Sequence, residues 1–187
     1  MTTKSNEALA SYLSDMHALE EHILKALDGQ LADHDIDASV ATVLREVHAL
    51  CDAHMHGLMA LHEAIAEPGQ GISGLVKRAA SGIFGLGAAA IDLVRTEHLA
   101  KNLRDDYTAL SLASAGYAML YTSAMSTKSL AVESTARQFL ADHTRSAAAV
   151  FGLLPFAVIS TLRDDGVEAD ASILGDAKSG IEHAMRA

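Results

Sequence analysis

Long apolar stripes at helical spacing constrain this chain more than any other feature. Leu9, Leu13, Met16, Glu20, Ile23 and Leu27 follow one another at steps of three and four. Val40, Leu44, Val47, Cys51, His54, Leu58, Leu61 and Ile65 do the same. A third run, from Ala90 and Leu93 through Glu97, Ala100, Tyr107, Leu110, Ser114 and Tyr117 to Tyr121, and a fourth, Val132, Ala136, Phe139, His143, Ala147, Val150 and Leu154, keep the period. That spacing puts each set on one face of an α-helix and is incompatible with strands, whose side chains alternate every two residues. Four such helices bury their stripes by packing around a shared core.

The punctuation divides the chain accordingly. Ser5 is placed to cap the first helix, which stops at Asp28-Gly29 or runs on to about Ala32. Asp37 or Ser39 caps the second, predicted over 38–66 and closed by Glu67-Pro68-Gly69. Residues 69–87 hold Gly69, Gly71, Gly74, Gly82, Gly85 and Gly87 and form a long connection. They lack the Gly-Lys-Ser/Thr ending of a phosphate loop. The third helix is expected over 88–125, with a break near Ser126-Thr127-Lys128. The fourth starts near 129, and Gly152 and Pro155 should kink it. Asp164-Asp165-Gly166 ends it, and a short tail helix follows over 169–186.

Each main stripe carries one Glu or His: Glu20, His54, Glu97 and His143. A charge in an apolar seam is costly unless something pairs with it. Carboxylate oxygens and imidazole nitrogens brought to one level of a bundle suit iron, zinc or manganese. A full dinuclear site needs a Glu on each of two helices and Glu-x-x-His on the other two. Here those pairs are reduced to Cys51-x-x-His54 and Leu140-x-x-His143, so two bridging carboxylates are missing. Asp142 adjoins His143 but is expected about 100° away around the helix. Four ligands for one ion remain, or a metal-free Glu–His network that fixes helix register.

Other clusters have simpler explanations. His48, Asp52 and His56 form a ridge at steps of four, as a solvated helix face does. Cys51, Met55 and Met59, with His62 nearby, offer soft copper(I) ligands, but methionine at this spacing is ordinary core filler. Tyr107, Tyr117 and Tyr121 are expected to pack their rings and hydrogen-bond their hydroxyls. Cys51 lies mid-helix in an apolar stripe, where nothing lowers its pKa for nucleophilic work.

The segment Glu20-Glu21-His22-Ile23-Leu24-Lys25-Ala26-Leu27 resembles the first helix of the bacterial ferritin-like general-stress proteins, where a Glu precedes a Leu-Leu-Lys-Ala-Leu-like run by three residues. His54 resembles that family's second-helix histidine. Arg95-Thr96-Glu97-His98 is similar to the Glu-His pair that opens its third-helix site. Leu140-Ala141-Asp142-His143 resembles the fourth-helix segment, with His143 where a carboxylate is usual. The resemblance implies a ferritin-like fold, metal binding, dimerisation and a stress-related role.

The expected structure is therefore an all-α, ferritin-like four-helix bundle with a Gly-rich crossover between helices 2 and 3 and a short C-terminal helix. It is expected to form a single domain over 1–187, with a core over about 5–163 and a tail over about 167–187. The expected function is metal binding by Glu20, His54, Glu97 and His143, with one iron, zinc or manganese ion. The alternative is a metal-free scaffold or interaction protein. The formal net charge of −10 argues against nucleic acid and anionic membrane as partners, and the resemblance implies a homodimer. One cysteine excludes an intrachain disulfide and fits a cytoplasmic location. The apolar stretches 82–94 and 147–162 are broken by Asp92, and by Gly152 and Pro155, short of the roughly 20 uninterrupted apolar residues of a membrane span.

Overall fold

The computed structural model describes residues 3–65 and 99–186. Among these the chain is helical and has no strands. Four long helices, α1 (Thr3–Leu31), α2 (Ala38–Ile65), α3 (Leu99–Thr127) and α4 (Leu130–Asp164), are followed by a 3-10 turn (Ala171–Ile173) and α5 (Leu174–Arg186). The Gly-rich segment 69–87, the expected start of the third helix and Glu97 lie outside the described residues.

Local chemistry explains the boundaries. The first helix starts at Thr3, two residues ahead of the expected Ser5 cap. Asp37 rather than Ser39 opens α2: its Oδ1 accepts from the Ser39 amide at 2.8 Å and the Val40 amide at 3.4 Å. Between α3 and α4, Lys128 adopts φ 61°. The Ser129 amide then reaches back to the Ala124 carbonyl at 2.9 Å and the Lys128 amide to Met125 at 3.2 Å. These are the paired bonds of a Schellman turn, which satisfy the carbonyls left over at a helix end. The α4 helix continues uninterrupted through Pro155.

Cross-helix contacts give the topology. Asn6 reaches the Ile65 carbonyl, and His54 lies against Glu20, so α1 and α2 are antiparallel. Gln30 meets Asp106 while Glu20 meets Tyr117, so α1 and α3 are antiparallel too. Tyr107 packs on Phe151 and Tyr117 on Phe139, which makes α3 and α4 antiparallel. Helix α4 also packs against α2, leaving α1 and α4 on one diagonal and α2 and α3 on the other. It follows that α2 and α3 run in the same direction. Ile65 and Leu99 therefore lie at opposite ends of the bundle, as in crossover-connected bundles and not in simple up-down ones.

The stripes meet in a continuous core that includes Leu9, Leu13, Leu27, Leu44, Leu58, Leu103, Leu110, Leu120, Val132 and Val150, all at most 1% exposed. Helix α4 is long and apolar enough to cross a membrane by length and composition alone. Its inner stripe, Val132, Ala136, Phe139, Ala147, Val150 and Ala157, is spent on the bundle core, and the residues from Phe151 to Thr161 are mostly part-covered. The tail helix α5 packs on α4 and leaves Ile181 and Met185 exposed.

One polar pair ties the far end of α1 to the start of α3. Gln30 Nε2 donates to Asp106 Oδ1 at 2.8 Å, and both residues are buried. Gln30 Oε1 and Asp106 Oδ2 have no hydrogen-bond partner. Burial raises the Asp106 pKa to about 7; the Gln30 bond opposes the rise and the neighbouring Asp105 charge adds to it. The folded protein thus holds a proton here that the unfolded chain releases near the ordinary carboxyl value of 3.8. Stability from this group is full below that value and falls as pH rises through about 7. Between pH 5 and 8 the wild type should lose roughly 2–3 kcal/mol relative to Asp106→Asn, measured by urea unfolding of both proteins at each pH.

Candidate metal centre

At mid-height of the bundle the stripes of α1, α2 and α4 each turn one polar side chain inward. Glu20 comes from α1, His54 from α2 and His143 from α4. Glu20 is 0% exposed whereas its neighbour Glu21 is exposed, so the rotation of α1 selects between the two carboxylates. Glu20 Oε1 lies 2.7 Å from His143 Nε2 and 3.1 Å from His54 Nδ1, and these two nitrogens are 3.3 Å apart. Three of the four expected residues therefore converge on one point.

Three further residues complete the surroundings. Tyr117, fully buried on α3, donates its hydroxyl to Glu20 Oε1 at 2.6 Å. Cys51, one turn before His54, offers a sulfur that lies with ligand atoms of Glu20 and His143 inside a group no more than 4.8 Å across. Asp142 overturns the expectation that it points away from the site: its Oδ2 lies 3.3 Å from His54 Nε2. The offset around α4 from His143 is real, but it turns Asp142 toward α2. The His54 ring stands between α1 and α4, with one nitrogen at the centre and the other at Asp142.

Aromatic packing fixes the rings. Phe139 stacks on His54 with centroids 3.7 Å apart and planes 23° apart. Tyr117 lies nearly parallel to His143 at 5.3 Å and edge-on to Phe139. Gly57 permits the closest of these contacts. A methyl group at that position would come within 2.8 Å of Phe139 Cζ.

The electrostatics centre on Glu20. Burial pushes its carboxyl pKa up. Hydrogen bonds from His143 and His54, the His143 charge and the Tyr117 hydroxyl outweigh burial and hold it at about 2. Burial and the adjacent Glu20 charge push both the Cys51 thiol and the Tyr117 phenol well above their usual ranges. Glu20 Oε2 and His143 Nδ1 are buried without a hydrogen-bond partner. Two imidazoles thus meet the Glu20 carboxylate, the Cys51 thiol lies close to Glu20 and His143, and the carboxylate keeps unused acceptor capacity. Such a set suits zinc or iron, and the sulfur disfavours manganese.

The other ridges disperse. His48 pairs with Asp28 at 2.9 Å and His56 with the Asp52 carbonyl at 2.8 Å on an exposed face. On the sulfur ridge, Cys51 is buried but Met59 is 44% exposed, and His62 instead meets Ser14 Oγ at 3.3 Å. Comparison of the chain with protein-family models, with curated proteins and with solved structures finds no match.

Two variants check this geometry. Tyr117→Phe removes a hydrogen bond to a buried carboxylate and should cost about 1.5–3 kcal/mol in urea unfolding at pH 7. Gly57→Ala should cost about 1–3 kcal/mol by displacing Phe139, with the change visible in the His54 ring-proton shifts. The acid limb has a definite sign. Because the folded Glu20 pKa is depressed from 4.5 to about 2, its contribution is full above pH 4.5 and is lost as pH falls through 2. Metal-free Glu20→Gln should lack that limb, on the order of 3 kcal/mol, in unfolding curves taken across this window.

Proposed function

We propose that this protein binds one metal ion at the centre of the bundle, through Glu20, His54 and His143 with Cys51 as the fourth donor. The observation that supports it is the convergence of Glu20 Oε1, His54 Nδ1 and His143 Nε2, with separations of 2.7–3.3 Å. Donor atoms about 2.0–2.2 Å from a tetrahedral ion stand roughly 3.3–3.6 Å apart, so a small outward relaxation admits one. The donor set favours zinc or iron. A bound ion would draw the proton from Cys51 and offset the buried Glu20 charge. Uptake should therefore release protons and weaken as pH falls.

The parallel α2 and α3, with inward-facing Glu and His side chains, support a ferritin-like bundle; its general-stress role and homodimer are proposed on the sequence resemblance alone, and its cytoplasmic location on the single cysteine. Glu97, on the segment outside the described residues, belongs to this proposal as a further candidate ligand. The competing scaffold role has one observation in its favour. Glu20 Oε1 already accepts from Tyr117 at 2.6 Å, and the Glu–His network ties three helices together without an ion.

Elemental analysis and zinc and iron(II) titration of untagged protein decide between them. One equivalent of metal in the wild type, lost in Glu20→Ala/His143→Ala and weakened in Cys51→Ser, is the expected result. Protein that is metal-free as purified and refuses iron, zinc and manganese at micromolar concentrations sinks the metal proposal and leaves the scaffold.

A further inference from the structure

Asp142 is the place where the buried centre approaches the surface. Its side chain is 12% exposed, against 3% for His54 and 0% for Glu20 and His143. Its two oxygens face different partners. Oδ2 lies 3.3 Å from His54 Nε2, and Oδ1 is bound by the guanidinium of Arg145, three residues on along α4 and 71% exposed. His54 is thereby engaged at both edges, with Nδ1 toward Glu20 and His143 and Nε2 toward Asp142. Phe139 covers its face and opposes rotation of the ring that would exchange those edges.

A neutral imidazole carries one proton, and only the other nitrogen can offer a lone pair to an ion. Carboxylates flank both edges of His54, Glu20 at Nδ1 and Asp142 at Nε2; an ion that takes the Glu20 oxygen leaves Asp142 as the acceptor for the ring proton, at Nε2, and frees Nδ1. We infer that Asp142 is a positioning residue of the metal centre. With an ion bound, it would hold His54 in its Nε2–H form so that the Nδ1 lone pair is free for the ion, and Arg145 holds Asp142 in place. This inference rests on the metal-binding proposal above. Asp142 itself is not a ligand, since it lies at the edge of the imidazole opposite the donor atoms. Its effect passes through His54, by orienting the ring and fixing which nitrogen carries the proton.

The test uses the full chain with zinc as probe. Zinc affinity is measured by chelator competition for the wild type, Asp142→Asn, Asp142→Glu and Arg145→Leu. The His54 imidazole N–H of each zinc-loaded protein is followed by nitrogen-15 NMR, with circular dichroism as the check on folding. Asp142→Asn should bind zinc 10–100-fold more weakly at unchanged stoichiometry. It should also lose the slowly exchanging, carboxylate-bonded Nε2–H signal of the wild type. Asp142→Glu should recover part of both, and Arg145→Leu should fall between. Affinity within twofold of wild type in Asp142→Asn, or weaker affinity with an unchanged Nε2–H signal, overturns the inference while metal binding stands. A wild type that takes up no zinc overturns both.

Discussion

A buried carboxylate that must stay charged governs the middle of this molecule. Glu20 has no access to solvent, and its charge survives because three side chains from three other helices reach the same oxygen: His54 from α2, Tyr117 from α3 and His143 from α4. Removing any one leaves part of that charge uncompensated in a low-dielectric core. The helices are thus held at one register by a polar requirement added to their apolar packing. The aromatic layer serves the same end by stacking one ring on each imidazole, Phe139 on His54 and Tyr117 on His143.

The same arrangement explains why the thiol and phenol nearby are poor acids. Each sits beside a fixed negative charge and away from water, so neither gives up its proton readily. A metal ion changes that balance, because its own charge is the largest in the site and favours the thiolate. The one carboxylate at the centre is thus a buried negative charge met by three hydrogen-bonding side chains, with one of its oxygens unpartnered.

Much of the frame was legible before any coordinates. The periodic stripes marked the long helices because burial of one face dictates their spacing, and Glu20, His54 and His143 stood out as the misfits in those stripes. Asp142 did not, since a helical wheel assigns it to another face and ignores the width of an imidazole that reaches two helices at once. Tyr117 was visible as a core tyrosine, but its bond to Glu20 depends on how α1 and α3 are rotated against each other. Gln30 and Asp106 were hidden for a similar reason. Gln30 follows a Gly that looked like a helix stop, and nothing local connects it to a residue 76 positions away.

The bond between His143 and Glu20 spans 123 residues along the chain and crosses the diagonal of the bundle. During synthesis, Glu20 and the first two helices emerge long before His143 exists. No amino-terminal fragment ending before α4 can assemble the centre or neutralise Glu20 in the same way. Loop-closure entropy makes such distant contacts form late. The last of the four long helices to be translated is thus also the one that closes the Glu20 network, so the network reports that all four have packed.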